Sequence, residues 1–364
     1  MIALISNKRK VLLAPLVALT LGFAACAPQQ QAPPPTPGEE GAQAPANGQA
    51  VSLTGAGASF PAPLYQRWFS EYNQEHPNVQ VTYQSVGSGA GVEQFTQGTV
   101  DFGASDVPMT DEEIAKVNRG VVQLPMTAGS IVLAYNLPDL EDLRLSRETY
   151  TDIFLGNITR WNDPAIAKDN PNVELPDQEI TVVHRSDGSG TTGVFTEHLS
   201  AISPEWEQKV GADKTVSWPR GIGAKGNEGV TAQIQQTQGA IGYIEYGYAK
   251  LQDIPVATLE NQSGNFIEPT EETASNTLDA VELPEDLVAI LPDPEGENSY
   301  PIVTYTWILA YEQYPDPNKA QALKDVLNWS LTEGQQYAPE LGYIPLPDSV
   351  VQRVQAAVDT IEAQ

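Results

Sequence analysis

The chain has 364 residues, of which 41% are hydrophobic and 18% charged, and its 47 acidic and 19 basic residues give a net charge of −28. This length is too great for one compact core and suits a globular protein of two domains. The charge argues against a nucleic-acid binder, because phosphate backbones need clustered Lys and Arg. One cysteine and three widely spaced histidines offer no internal disulfide and no familiar metal-ligand spacing, so we expect neither a metal nor a cofactor.

The N-terminus predicts a secreted, lipid-anchored protein. Residues 8–10 are basic, and the apolar stretch 11–25 is too short to span a bilayer comfortably, as in a signal peptide. Cys26, the only cysteine, follows two alanines, and this arrangement resembles a bacterial lipoprotein signal, with Phe23 in place of the more usual Leu. We therefore expect cleavage after residue 25 and a lipid on Cys26. An ordinary signal peptide with a chance cysteine is the alternative.

The next segment, residues 26–50, predicts a tether. Residues 27–50 contain no aromatic residue and no Val, Ile or Leu, so they cannot bury enough apolar surface to fold. The folded body is then 51–364, anchored to a bacterial membrane and working outside the cytoplasm. Removal of residues 1–25 takes away three basic and no acidic residues, which brings the net charge to −31.

In the body, short apolar runs alternate with amphipathic segments, a pattern typical of α/β folds with parallel sheets. Predicted strands cover 51–57, 79–87, 100–106, 130–136, 180–185 and 240–248. Predicted helices cover 61–72, a segment capped by Ser88, 111–118 with a Thr110–Glu113 capping box, 191–202, 227–238, 319–336 and 349–363. Residues 253–300 give no clear periodicity.

Three turns of small residues, at 55–59, 87–91 and 188–191, each join a predicted strand to a predicted helix. Glycine lets the backbone approach a ligand closely, and a helix N-terminus presents unpaired N–H groups, which together form the usual anion site. Hydroxyl donors are supplied by Ser59, Ser88, Ser189 and Thr191. Gly and Ser are also common in ordinary turns, but three such turns in one chain favour an anion site.

Two charged side chains follow strand ends beside these turns. The guanidinium of Arg185 can donate hydrogen bonds to two oxygens of an oxyanion, and Asp187 is close enough in sequence to orient it. The alternative is that Arg185 and Asp187 form a weak ion pair on the surface. Asp106 would repel an anion unless that anion carries a proton. Phosphate has a P–OH near neutral pH and sulfate has none, so Asp106 favours phosphate, with a turn or capping role as the alternative.

The longer motifs around these residues resemble the periplasmic phosphate-binding lipoproteins of ABC importers, the PstS family. The motifs are LTGAGASFPAP at 53–63, VGSGAGVEQ at 86–94, VDFGASDVPM at 100–109, RSDGSGTTGVF at 185–195, WPRGIGAKGNEGV at 218–230, GAIGYIEYGYAK at 239–250 and LPDSVVQRV at 346–354. The resemblance implies inorganic phosphate as ligand, the integral-membrane subunits of an ABC permease as partners, and no catalysis. We expect a monomer.

The resemblance also implies the site. Its phosphate-binding positions are Ser59, Phe60, Ser88, Asp106, Arg185, Ser189, Gly190 and Thr191, with Asp187 in support. In this site Asp106 accepts the proton of the ligand and Arg185 supplies the full positive charge. The family often has Thr where this chain has Ser59, which keeps the hydroxyl, and a second Ser where this chain has Gly89.

The implied fold is a two-lobed α/β periplasmic binding protein of type II-like architecture, with mixed and parallel sheets, helices on both faces and the ligand cleft between the lobes. The first lobe would contain 51–130 and 285–364, and the second 131–284. Ligand would bridge the lobes and stabilise their closed form.

Other functions remain as alternatives. A hydrolase would need Ser189 and His184 together, but Asp187 occupies a position where the G-x-S-x-G motif requires glycine. The G-x-G-x-x-G at 221–226 follows no β-branched strand and does not predict a nucleotide site. The six tryptophans are compatible with a sugar-binding protein, in which such rings stack on the ligand, although core packing explains most of them. A binder of another oxyanion, or a phosphate sensor or scavenger without a transport role, also remains open.

Overall fold

The computed structural model describes residues 50–138, 140 and 142–364. The predicted signal peptide, Cys26 and almost all of the predicted tether lie outside the described residues. The strands are β1 Val51–Gly57, β2 Val79–Ser85, β3 Phe102–Ser105, β4 Val122–Tyr135, β5 Arg144–Leu145, β6 Thr181–Arg185, β7 Ile222–Ala224, β8 Ala240–Glu245, β9 Thr258–Glu260, β10 Phe266–Ile267, β11 Val303–Ala310, β12 Gln313–Tyr314 and β13 Glu362–Ala363. The α-helices are α1 Ala62–Glu75, α2 Ser88–Thr96, α3 Asp111–Ile114, α4 Arg147–Leu155, α5 Pro164–Asp169, α6 Gly190–Ile202, α7 Pro204–Lys209, α8 Gly226–Gln236, α9 Tyr246–Leu251, α10 Glu271–Asp279, α11 Pro317–Leu331, α12 Ala338–Leu341 and α13 Asp348–Asp359.

The central sheet has eight strands in the order β2-β1-β3-β11-β4-β8-β6-β7. We call β2, β1, β3, β11 and the first part of β4 the first half-sheet, and the last part of β4 with β8, β6 and β7 the second half-sheet. Within the first half-sheet β1 runs parallel to β2 and β3, and within the second β6 runs parallel to β7 and β8. The pairings of β11 and of β4 are antiparallel, so the sheet is mixed.

Strand β4 connects the two half-sheets. It pairs with β11 as far as Ser130 and with β8 from Ile131 onward. Fourteen residues of continuous strand therefore pass from one half-sheet to the other. The two-lobed α/β architecture expected from the sequence is confirmed, while the lobe boundaries remain a prediction.

The predicted strand–helix units of the body are present, with several local differences. Strand β4 begins at Val122, eight residues before the strand predicted at 130–136, and the helix predicted at 319–336 ends as an α-helix at Leu331. Residues 246–251 form α9 and not the end of a strand, because Glu245 caps this helix by accepting the Gly247 N–H at 2.8 Å. Helix α3 is one turn long, although its Thr110–Glu113 capping box is present as predicted. Ser88 is not the N-cap of α2.

Gly87 occupies the N-cap position of α2, with φ 94°, and Ser88 is the first helical residue. A positive φ suits glycine, and the turn that it makes is tight. This turn directs the Ser88 side chain away from the helix end and toward Asp106. Because Ser88 does not cap the helix, its hydroxyl is available to the candidate site, where it lies beside Asp106.

Aromatic side chains fill the core on both sides of the cleft. Five of the six tryptophans are buried, and Trp218, which is partly buried, stacks on Tyr243 and on His184. The core packing expected for most of the tryptophans is confirmed, because five of the rings belong to the hydrophobic core and Trp218 packs against it.

Candidate functional site

Six strand–helix junctions meet at one cleft between the half-sheets. The parallel strands β1, β2 and β3 are followed closely by Ser59, Ser88 and Asp106, of which Ser88 begins α2. The parallel strands β6, β7 and β8 end at the starts of α6, α8 and α9. Because the carboxyl ends of parallel strands lie at one edge of a sheet, each half-sheet presents its loops to the other.

Direct contacts cross this cleft. The backbone N–H of Gly89 donates to the carbonyl of Gly188 at 2.9 Å. A Cβ placed on Gly190 would lie 2.5 Å from Ser88 Oγ and 2.7 Å from Asp106 Oδ2, so only glycine allows this approach. The residues predicted from the three glycine turns are therefore brought together, from both half-sheets.

Asp106 is almost completely buried, with 1% exposure. Thr306 Oγ1 donates to its Oδ1 at 2.8 Å, and Ser88 Oγ lies 3.5 Å from its Oδ2. Burial raises the pKa of Asp106 to about 7, while the Thr306 hydrogen bond and the charge of Arg185 offset part of this effect. A carboxylate with this pKa is ionised above neutral pH, and it can then accept a hydrogen bond from a protonated oxygen of a ligand.

Arg185 supplies a buried positive charge, with 3% exposure. Its Nε and Nη2 bind the two carboxylate oxygens of Asp187 at 2.8 and 2.5 Å, and its Nη1 donates to Thr191 Oγ1 at 3.2 Å. Burial opposes ionisation of Asp187, but the Arg185 hydrogen bonds hold the pKa of Asp187 below its ordinary value. The Arg185 side chain is 1% exposed and that of Asp187 is 12% exposed, so the two form an oriented, largely buried ion pair and not a solvated surface one.

The start of α6 presents hydroxyl and backbone donors. Ser189 is the N-cap, and its Oγ accepts the Thr192 N–H at 3.0 Å. The Ser189 N–H donates to the carbonyl of Lys214 at 2.8 Å, so the hydroxyl proton is the donor of Ser189 that is available to a ligand. The N–H of Thr191 contributes to lowering the pKa of Asp106 by hydrogen bonding.

Two buried tyrosines hold the loop that follows β1. Tyr248 OH donates to the carbonyl of Ser59 at 2.6 Å, and Tyr343 OH donates to the carbonyl of Phe60 at 2.7 Å. Both carbonyls are thereby turned toward the protein. This arrangement leaves the opposite side of the loop to face the cleft.

Sequence reasoning missed Asn227 and Thr306. Asn227 lies at the start of α8 and binds Ser59 Oγ through both its backbone N–H and its side-chain amide, at 2.9 and 3.0 Å. It belongs to the same strand–turn–helix pattern as the three glycine turns, and the nucleotide-like spacing at 221–226 obscured that pattern. Thr306 lies on β11, far from Asp106 in sequence, and only the sheet pairing brings the two together.

The side chains that a hydrolase would need are not joined. His184 stacks on Trp218 with ring centroids 5.0 Å apart, and its Nδ1 lies 3.0 Å from the carbonyl of Arg185. Ser189 Oγ accepts the Thr192 N–H as the cap of α6, and the described hydrogen bonds of His184 do not include Ser189. In the described part of the chain, no group of three His, Cys, Asp or Glu side chains is placed to hold a metal ion.

Comparison with known proteins identifies the class. Residues 42–333 match the model of the PBP superfamily domain, so the chain belongs to that superfamily. A high-affinity periplasmic phosphate-binding protein (PfluDING), solved with phosphate at pH 8.5, has the same fold with a TM-score of 0.69 and 20% identity, covering 84% of this chain and 93% of that one. A phosphate-binding protein from Stenotrophomonas maltophilia gives a TM-score of 0.69 at 21% identity, with coverage of 84% and 94%.

Sequence relatives define the family more narrowly. The phosphate-binding protein PstS of Pasteurella multocida is 45% identical over 312 residues, which cover 85% of this chain and 90% of that protein. PstS of Methanocaldococcus jannaschii is 42% identical over 340 residues, with coverage of 86% and 87%. The chain therefore belongs to the family of phosphate-binding proteins PstS, and the expected membership is confirmed.

Proposed function

We propose that this protein binds inorganic phosphate outside the cytoplasmic membrane and delivers it to the integral-membrane subunits of an ABC-type phosphate permease. The observation that carries the proposal is the buried Asp106 carboxylate, which lies beside Ser88 and Thr306 of the first half-sheet and feels the charge of Arg185 from the second. We infer that the donors to phosphate are the side chains of Ser59, Ser88, Arg185, Ser189 and Thr191 and the backbone N–H groups of Phe60, Gly190 and Thr191. The names of the relatives support the same ligand.

The donors and Asp106 recognise different oxygens of the phosphate. The donors and the charge of Arg185 neutralise the ionised oxygens of phosphate, while Asp106 accepts the hydrogen bond of a P–OH. Sulfate would place an unprotonated oxygen against Asp106, which costs both charge repulsion and an unmet acceptor. The net charge of −31 on the mature chain, which is −28 less the three basic residues of 1–25, does not prevent this, because exposed charges are screened beyond about 8–10 Å at physiological salt.

Ligand binding closes two lobes, residues 51–130 with 285–364 and residues 131–284. Each lobe contributes one half-sheet and its loops, so phosphate contacts both. Contacts that exist only in the closed form, such as the Gly89–Gly188 hydrogen bond, are stabilised by the ligand. The permease then recognises the closed form.

The segment before the folded body holds this binding protein at the membrane. Cys26 carries the lipid anchor, residues 27–50 act as the tether, and the folded body works as a monomer at the membrane surface. Among the described residues no helix is sufficiently long and apolar to cross a bilayer. We expect no catalysis, since recognition at this site requires no bond to be made or broken.

The delivery step is tested by transport. Proteoliposomes that contain the ABC phosphate permease of the same organism are supplied with ATP and radiolabelled phosphate, with or without this protein. We expect uptake only when the protein is present, and no uptake of radiolabelled sulfate. Uptake that is the same without the protein would contradict the role in delivery.

A further inference from the structure

Asn227, the second residue of α8, lies between two hydroxyls that come from opposite half-sheets. The side chain is fully buried. Its Nδ2 lies 3.0 Å from Ser59 Oγ and 3.1 Å from Thr191 Oγ1, and its Oδ1 accepts the backbone N–H of Glu245 at 2.9 Å. Since the Glu245 N–H can only donate, the amide has one possible orientation, and each of its polar groups has a partner.

The Ser59 hydroxyl receives both of its hydrogen bonds from Asn227. The backbone N–H of Asn227 lies 2.9 Å from Ser59 Oγ, and the side-chain amide donates to the same oxygen. A hydroxyl oxygen has two lone pairs and one proton, so these two donors fill its capacity as an acceptor. The Ser59 proton is then available only for donation to a third group.

The Thr191 hydroxyl oxygen also accepts two hydrogen bonds, which fill its acceptor capacity. Arg185 Nη1 donates to Thr191 Oγ1 at 3.2 Å, and the second N–H of the Asn227 amide donates to it at 3.1 Å. Its proton, too, can only be donated. Both hydroxyls are buried, with 1% exposure for Ser59 and 0% for Thr191, so water does not compete freely for these protons.

We propose that Asn227 is a positioning residue that makes the Ser59 and Thr191 hydroxyls obligatory donors, so that the ligand must present unprotonated oxygens to both. The inference rests on the proposed function and deepens it. Asp106 is the acceptor of the same site, so the proton of a bound hydrogen phosphate is excluded from the oxygens that face Ser59 and Thr191 and can be directed to Asp106. Asn227 thus helps to fix the orientation of the ligand without touching it.

The test is a mutant cycle measured by calorimetric titration with inorganic phosphate. Asn227→Leu is made in the mature chain and in a chain that also carries Ser59→Ala and Thr191→Val. We expect Asn227→Leu to raise the Kd ten- to a hundredfold in the first background and less than threefold in the second. A similar loss in both backgrounds, as a purely structural role predicts, or a Kd within twofold of wild type in the first, would overturn the inference.

Two further variants keep the test decisive. Asn227→Ala, which adds no bulk, repeats the cycle if Asn227→Leu does not fold. Asn261 is the matched control, because it is also fully buried but its amide donates to backbone carbonyls of residues 296, 297 and 299. We expect Asn261→Leu to lower thermal stability and to leave the Kd within twofold of wild type.

The two proposals fail in different ways. A wild-type chain that binds no phosphate would overturn the proposed function, and the role of Asn227 with it. A wild-type chain that binds phosphate, combined with equal losses in the two backgrounds of the cycle, would overturn the role of Asn227 alone.

Discussion

Lys214 Nζ lies 2.7 Å from Glu113 Oε1, and this ion pair joins the two sides of the cleft. Glu113 belongs to α3, which follows β3 of the first half-sheet, and its other oxygen accepts the Thr110 N–H at 2.9 Å. The backbone carbonyl of Lys214 accepts the N–H of Ser189, a candidate phosphate ligand. The capping box of α3 is thereby connected, through one ion pair, to the phosphate loop of the opposite half-sheet.

Removal of this ion pair should weaken phosphate binding modestly. Both side chains are about one-fifth exposed, and partly exposed ion pairs contribute about 0.2–1 kcal/mol. We expect Lys214→Met and Glu113→Gln each to raise the phosphate Kd two- to fivefold in calorimetric titration. The double variant should be no worse than either single one. Lys209→Met, which breaks an exposed ion pair within α7, is the control, and an equal effect of Lys209→Met would contradict the bridging role.

Addition of one methyl group at residue 190 should abolish binding without unfolding the protein. The Cβ of Gly190→Ala would lie 2.5 Å from Ser88 Oγ and would keep the half-sheets apart. We expect a rise of more than a hundredfold in the phosphate Kd, with an unchanged circular dichroism spectrum. Gly229→Ala is the matched control, because its nearest neighbour would be 3.6 Å away and alanine suits a helix. Normal binding by Gly190→Ala would show that the cleft does not close at this point.

The buried Asp106 should make the ligand-free protein less stable as the pH rises from 4 to 7. Because burial raises its pKa from 3.8 to about 7, the folded state holds a proton in this range that the unfolded state has lost. Stability is therefore greatest below pH 4 with respect to this group, and declines by about 4 kcal/mol at most as the pH passes 7.

The measurement is urea unfolding of ligand-free wild type and Asp106→Asn at several pH values. Other carboxylates titrate in both proteins, so the difference between the two curves isolates Asp106. We expect the stability of wild type relative to Asp106→Asn to fall across this range. Parallel curves would mean that Asp106 is ionised throughout and has an ordinary pKa.

Local patterns in the sequence predicted much of this structure because the relevant interactions are local. The glycines and serine at 87–91 predict both a close approach of the backbone and the start of a helix. The capping box of α3 depends only on Thr110 and Glu113. The short apolar run of β6, with Val182 and Val183, likewise places Arg185 at a strand end. These features depend on neighbours a few residues apart.

Long-range contacts account for what the sequence did not reveal. Thr306 reaches Asp106 only because β11 inserts between β3 and β4. Asn227 reaches Ser59 only when the two half-sheets face one another. Residues 246–248 resemble the end of a strand because their apolar pattern is too short to separate a strand from a helix, and the Glu245 cap decides the outcome in favour of α9.

The most direct test of the phosphate site is calorimetric titration of the mature chain, carrying Cys26→Ser and freed of bound phosphate by partial unfolding, with phosphate and with sulfate at pH 8. We predict tight one-to-one binding of phosphate and no response to sulfate, and detectable sulfate binding by Asp106→Asn. Equal binding of both anions by wild type would contradict the role of Asp106 as acceptor of the phosphate proton. Binding of neither would contradict the site itself.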